Sequence, residues 1–82
     1  MDMMDRIIAE ADDKGFVSFG DVARGLLNMQ CQYASYYIDG VGGRPVLADG
    51  LRIVGDSSNY HSLKIHKDDV QVFVDRVRGA RS

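Results

Sequence analysis

The sequence has one cysteine, Cys31, one proline, Pro45, and no apolar run longer than a few residues. A lone cysteine cannot close an internal disulfide. No stretch shows a basic start, an apolar middle and a small-residue cleavage site, so the expected compartment is the cytoplasm. Crossing a bilayer takes roughly 20 consecutive apolar residues, and nothing here approaches that, so no membrane partner is expected. Zinc-site spacing is also missing: Cys31, His61 and His66 are the only soft or nitrogen ligands and are not arranged as a site, so no metal and no cofactor is expected. An overall excess of positive charge is absent as well, the net charge being −2.

That mean conceals a division. Residues 1–41 carry seven acids and three bases, a net of −4, whereas residues 42–82 carry seven bases and five acids, a net of +2. A surface that faces an anion is therefore expected in the second half. With 82 residues, 45% hydrophobic and 27% charged, the chain has the composition of one ordinary globular domain, residues 1–82. No internal repeat or low-complexity stretch interrupts it.

Met4, Ile7, Ile8 and Ala11 stand at i, i+3, i+4 and i+7 and predict a first helix over 2–14, with Asp2 as N-cap and Gly15 as stop. Phe16 and Val17 read as a short extended lead-in. Ser18 and Asp21 then approximate a capping box for a second helix carrying Phe19, Val22, Ala23, Leu26 and Leu27 inward and ending near Asn28. Between Met29 and Gly40 the spacing of Tyr33, Ala34, Tyr37 and Ile38 predicts a third, short helix, with Tyr37 and Ile38 in the core. Gly40, Gly42 and Gly43 end it, and Pro45 keeps Arg44 out of helical angles.

From Pro45 the period becomes two. Val46 to Val54 around Asp49-Gly50 predicts a hairpin with a type I′ turn. Gly55 to Tyr60 reads as a polar loop, and Leu63 and Ile65 as the inward residues of a third strand. A last helix follows, with Val70, Phe73, Val74 and Val77 on one face, acids in its first turn and Arg76 and Arg78 in its last, as the helix dipole favours. The fold class is thus α+β: three N-terminal helices, a hairpin plus strand, and a C-terminal helix.

Catalytic patterns are missing. Asp12-Asp13 and Asp68-Asp69 are adjacent pairs, which diverge on a helix, and no nucleophile with a base is recognisable. GVGG, Gly40 to Gly43, lacks phosphate-loop spacing and opens no helix. An enzyme with a small-molecule substrate is therefore not expected.

The segment FVSFGDVARGLL, Phe16 to Leu27, resembles the first helix of the helix-turn-helix in excisionases and the related MerR-like DNA-binding domains. SLKIHKDDVQVFVDRV, Ser62 to Val77, is similar to that family's closing signature: a wing strand ending in a basic residue and Ile, an acidic first turn, and a helix with a buried Phe. YYIDG, Tyr36 to Gly40, resembles the end of its recognition helix. Two departures stand out. Asn28 to Asp39 contains no Lys or Arg where the family usually offers several bases, and the stretch from Gly42 to His61 is longer than the usual wing.

The resemblance implies a small winged helix-turn-helix factor, architectural or regulatory, that binds double-stranded DNA as excisionases do beside an integrase. The third helix would enter the major groove with Gln30, Gln32, Tyr33, Ser35 and Tyr36, since Gln can pair bidentately with adenine. Arg44, Arg52 and Lys64 would flank it from the wing on phosphates or in the minor groove. So few contacts predict weak affinity, raised by a protein partner or a homo-oligomer. The acidic first half and the uncharged third helix point to the alternative: a protein-interaction module, such as a phage or plasmid adaptor or inhibitor of a host factor, on a winged scaffold without DNA binding.

Overall fold

A computed structural model describes residues 2–81. It is an α+β fold of four helices and a three-stranded antiparallel sheet. Helix α1, Met3–Ala9, opens on Asp2, whose carboxylate accepts the Asp5 N–H at 2.9 Å. It buries Ile7 and stops well short of Gly15. The cause is Asp12, whose carboxylate accepts the Lys14 and Phe16 N–H groups at 2.9 and 3.0 Å. This local turn competes with the helix for the same backbone donors.

Phe16–Ser18 is a true strand, β1, and α2 follows at once over Phe19–Leu26. Ser18 occupies the N-cap position without a side-chain bond, so the expected capping box is not formed. After Leu27 the chain reverses through Asn28 at φ 53°, a left-handed value that Asn tolerates better than most residues, and the Met29 N–H returns to the Ala23 carbonyl at 3.1 Å. Helix α3, Cys31–Asp39, then runs to Gly40, which closes it at φ 73°.

The hairpin expected around Asp49-Gly50 is not formed. Those residues make an isolated turn, with Leu51 N–H on the Ala48 carbonyl at 3.0 Å, and their backbone is engaged elsewhere. Leu47 N–H donates to Tyr37 of α3 at 2.8 Å, while Arg76 donates to the carbonyls of Leu47 and Asp49 at 3.0 and 2.8 Å. The actual hairpin lies one turn later, in what reads as a polar loop: β2, Ile53–Asp56, and β3, Asn59–His66. Asp56 shapes its turn by accepting the Ser58 N–H at 2.9 Å. Gly55, at φ 102°, sits in a bulge so close to β3 that a Cβ would lie 2.5 Å from the Ser62 carbonyl oxygen. Strand order is β1-β3-β2, with Val17 opposite Ile65 and Ile53 opposite Ile65 on the other side.

A single 3-10 turn at Lys67–Asp69, with His66 Nδ1 accepting the Asp68 N–H at 3.2 Å, leads into α4, Val70–Arg81. Its expected apolar face, Val70, Phe73, Val74 and Val77, is wholly buried against Phe19 and Val22 of α2 and Ile65 of β3. Phe19 and Phe73 meet as tilted rings 5.3 Å apart. Burying such a side chain contributes about 1.5–3 kcal/mol, so the four residues that α4 adds to the common core tie it firmly to the rest of the fold. This packing leaves one face of α3 turned outward.

Candidate nucleic-acid interface

The spacing Cys31, Ala34, Ser35, Tyr37 turns four residues of α3 into the core, and Gln32, Tyr33 and Asp39 outward, with Tyr36 half-buried between them. Gln30 is exposed at the N-cap, its side chain making no cap bond. Ser35 must leave the set of surface candidates. It is 4% exposed and its hydroxyl donates to the Gln32 carbonyl at 2.6 Å, so it meets nothing outside the helix.

Arg44 is held against this helix and not on the hairpin. Its guanidinium carbon lies 4.3 Å from the Tyr33 ring centroid and 5.1 Å from that of Tyr36, and Nη1 donates to the Val41 carbonyl at 3.0 Å. Both distances are within the range of cation–π attraction. The turn that brings it back needs glycine: Gly42 has φ 69°, and a Cβ there would lie 2.6 Å from Arg44 Nη1. The guanidinium beside the phenol holds the Tyr33 hydroxyl below the ordinary tyrosine value, and the charge of Arg81 adds to the effect. A helix with no base of its own thus presents two tyrosines under a fixed cation.

Arg52 and Lys64 are elsewhere and engaged. Asp69 accepts from the Arg52 backbone N–H at 2.8 Å, from Nε at 2.9 Å and from Nη2 at 3.2 Å. Lys64, on the outer face of the sheet, reaches Asp12 at 3.4 Å. The expectation that Arg44, Arg52 and Lys64 form one flank is therefore corrected. Arg44 joins the tyrosines, and the other two pair with the 3-10 turn that precedes α4 and with the turn before β1.

Sequence reasoning missed Arg81 and gave Arg78 only a dipole role. From the last turn of α4 they cap the other helix: Arg78 donates to the Leu26 carbonyl at 3.1 Å and Arg81 to the Leu27 carbonyl at 3.3 Å. Their i, i+3 spacing was a readable sign that they share a side, but their partners lie more than 50 residues back. They place two further cations beside the α2–α3 turn, and the charge of Arg81 is felt at Tyr33.

Cys31 is buried, its thiol donating to the Tyr60 carbonyl at 3.4 Å, and burial pushes its pKa up, which suits a packing role. Among the described residues no group of three metal-ligating side chains converges, and no helix is long and apolar enough to cross a membrane. Gly40 to Gly43 supply a tight turn under Arg44. No family model, curated protein or solved structure matches the chain.

Proposed function

We propose that this chain is a small duplex-DNA-binding factor on a winged helix-turn-helix scaffold, architectural or regulatory and of the excisionase type. In this reading α2, the turn 27–30 and α3 are the helix-turn-helix, and β2–β3 is the wing. The observation that carries it is the Arg44 guanidinium over Tyr33 and Tyr36, which supplies the exposed face of α3 with the charge its own sequence lacks. Gln30 and Gln32 have the donor and acceptor pair that adenine presents in the major groove. Tyr33, Tyr36, Arg44, Arg78 and Arg81 contact phosphates. Arg52 and Lys64, being ion-paired, do not.

Two or three neutralised phosphates predict a slope of log affinity against log salt of about −2 to −3, and hence binding that is weak at physiological salt. Fluorescence anisotropy of a random duplex pool across a salt series tests this. Arg44→Ala should reduce the magnitude of the slope by about 1, whereas Lys64→Ala leaves it unchanged. Absence of binding at low salt, or a slope indifferent to Arg44→Ala, removes the reading in favour of a protein-interaction module on the same scaffold.

A further inference from the structure

A groove of about 490 Å³ runs between the C-terminal end of α3 and β2. Its floor is apolar, made by Ile38, Leu51, Ile53 and Leu63, and its charged lining residues are both acids, Asp39 and Asp56. Neither carboxylate is in an ion pair among the described residues. A phosphate backbone laid here would meet two negative charges, so the groove does not belong to the interface proposed above.

One wall of it is an open sheet edge. β2 is the terminal strand in the order β1-β3-β2. The Arg52 carbonyl accepts the His66 N–H at 2.9 Å, and the register pairs Ile53 with Ile65, which makes Ile53 the alternate, non-hydrogen-bonded position. Its backbone N–H and C=O therefore point away from β3. Edge groups of this kind pair with an added strand, while neighbouring pockets select its side chains.

We infer that this groove is a docking site for an extended, basic segment of a partner protein, which adds to the edge of β2, seats an apolar side chain on Ile38, Leu51 and Leu63, and sets Lys or Arg against Asp39 and Asp56. Charge decides the class of occupant, because an acidic or neutral segment leaves both rim carboxylates unpaired. The bulge at Gly55 limits the added pairing to a short stretch, so side-chain contacts carry most of the selectivity. The site is independent of DNA binding and holds whether or not α3 contacts a duplex.

The test uses the full chain and a blocked synthetic heptapeptide alternating Lys or Arg with Val or Leu, with a twin carrying Glu in place of each base. Titration followed by amide chemical shifts should move Leu51, Ile53, Gly55 and Asp39 saturably with the basic peptide only. Asp39→Lys with Asp56→Asn should weaken that binding about tenfold, as expected for two rim charges. Both positions are exposed, and Asn can still accept the Ser58 N–H, so the thermal midpoint of this variant should stay close to that of the parent. No saturable binding, shifts centred instead on Asp5, Glu10 and Asp13, or equal affinity for the acidic twin overturns the inference.

Discussion

Helix α3 contains no lysine or arginine, yet a guanidinium rests on its exposed Tyr33 and half-buried Tyr36; the sheet has Arg52 at the foot of β2 and Lys64 on β3, and both are held by carboxylates. The first surface borrows charge from a glycine-rich turn and from the end of α4. The second has its charge neutralised by Asp69 and Asp12. A surface's available charge is therefore set by tertiary partners more than by the composition of the element that forms it. Counting bases along the second half of the chain picks out Arg44, Arg52 and Lys64 alike, and does not tell the one on the tyrosines from the two held by carboxylates.

The largest effect that separates the two regions should come from Gly55→Ala. At φ 102°, with backbone of β3 within 2.5 Å of the added Cβ, this change should cost about 3 kcal/mol of stability, measured by urea denaturation. If the hairpin contributes no free cation, duplex affinity of the remaining folded protein stays at the parent level. A loss of affinity comparable to that of Arg44→Ala would show that the hairpin contacts DNA after all.

Asp69→Ala should act in opposite directions on the two properties. It removes three hydrogen bonds to Arg52, one of them to a backbone donor, and should lower stability by about 1–2 kcal/mol. It also frees a guanidinium, so the salt slope for duplex binding should become steeper if Arg52 then reaches a phosphate. Unchanged stability would mean that the Arg52 contacts are replaced by water at no cost.

Much of the scaffold was legible because it follows from periodicity. The spacing of Val70, Phe73, Val74 and Val77 requires only a helix and a core, and all four are fully buried. Ser35 is equally legible as a core position: Cys31, Ala34, Ser35 and Ile38 stand at i, i+3, i+4 and i+7, on the inward face. The hairpin was not legible. Asp49-Gly50 has the stronger local turn signal, but Arg76 and Tyr37 take the backbone groups a ladder there would need. The real turn, at Ser57-Ser58, is set by the Asp56 carboxylate and a bulged glycine that resembles an ordinary loop residue in sequence. Arg44's position depends on a chain reversal through Gly42 and Gly43, whose direction no spacing rule gives.

The smallest effects are in titration, and they divide the molecule in the same way. Asp69 is held below the ordinary carboxylate value by hydrogen bonds from the Arg52 side chain and backbone, and Asp12 by the Phe16 and Lys14 N–H groups with help from Lys64. A carboxylate whose folded pKa is depressed contributes stability fully above its unfolded value, about 3.9, and loses it as pH falls from there through the folded value. The thermal midpoint should therefore hold steady from pH 6 to about 5 and fall below about 4, with hydrogen exchange in β2 and β3 accelerating before that in α4. Asp69→Ala should flatten the acid limb. On α3 the change comes at the alkaline end: Tyr33 should ionise before an ordinary tyrosine as pH rises toward about 10, and Arg44→Ala should return it to the common transition. Difference absorbance of the phenolate reads this directly. An early phenolate that survives Arg44→Ala would mean that Arg81, and not the borrowed guanidinium, sets the charge on the exposed face of α3.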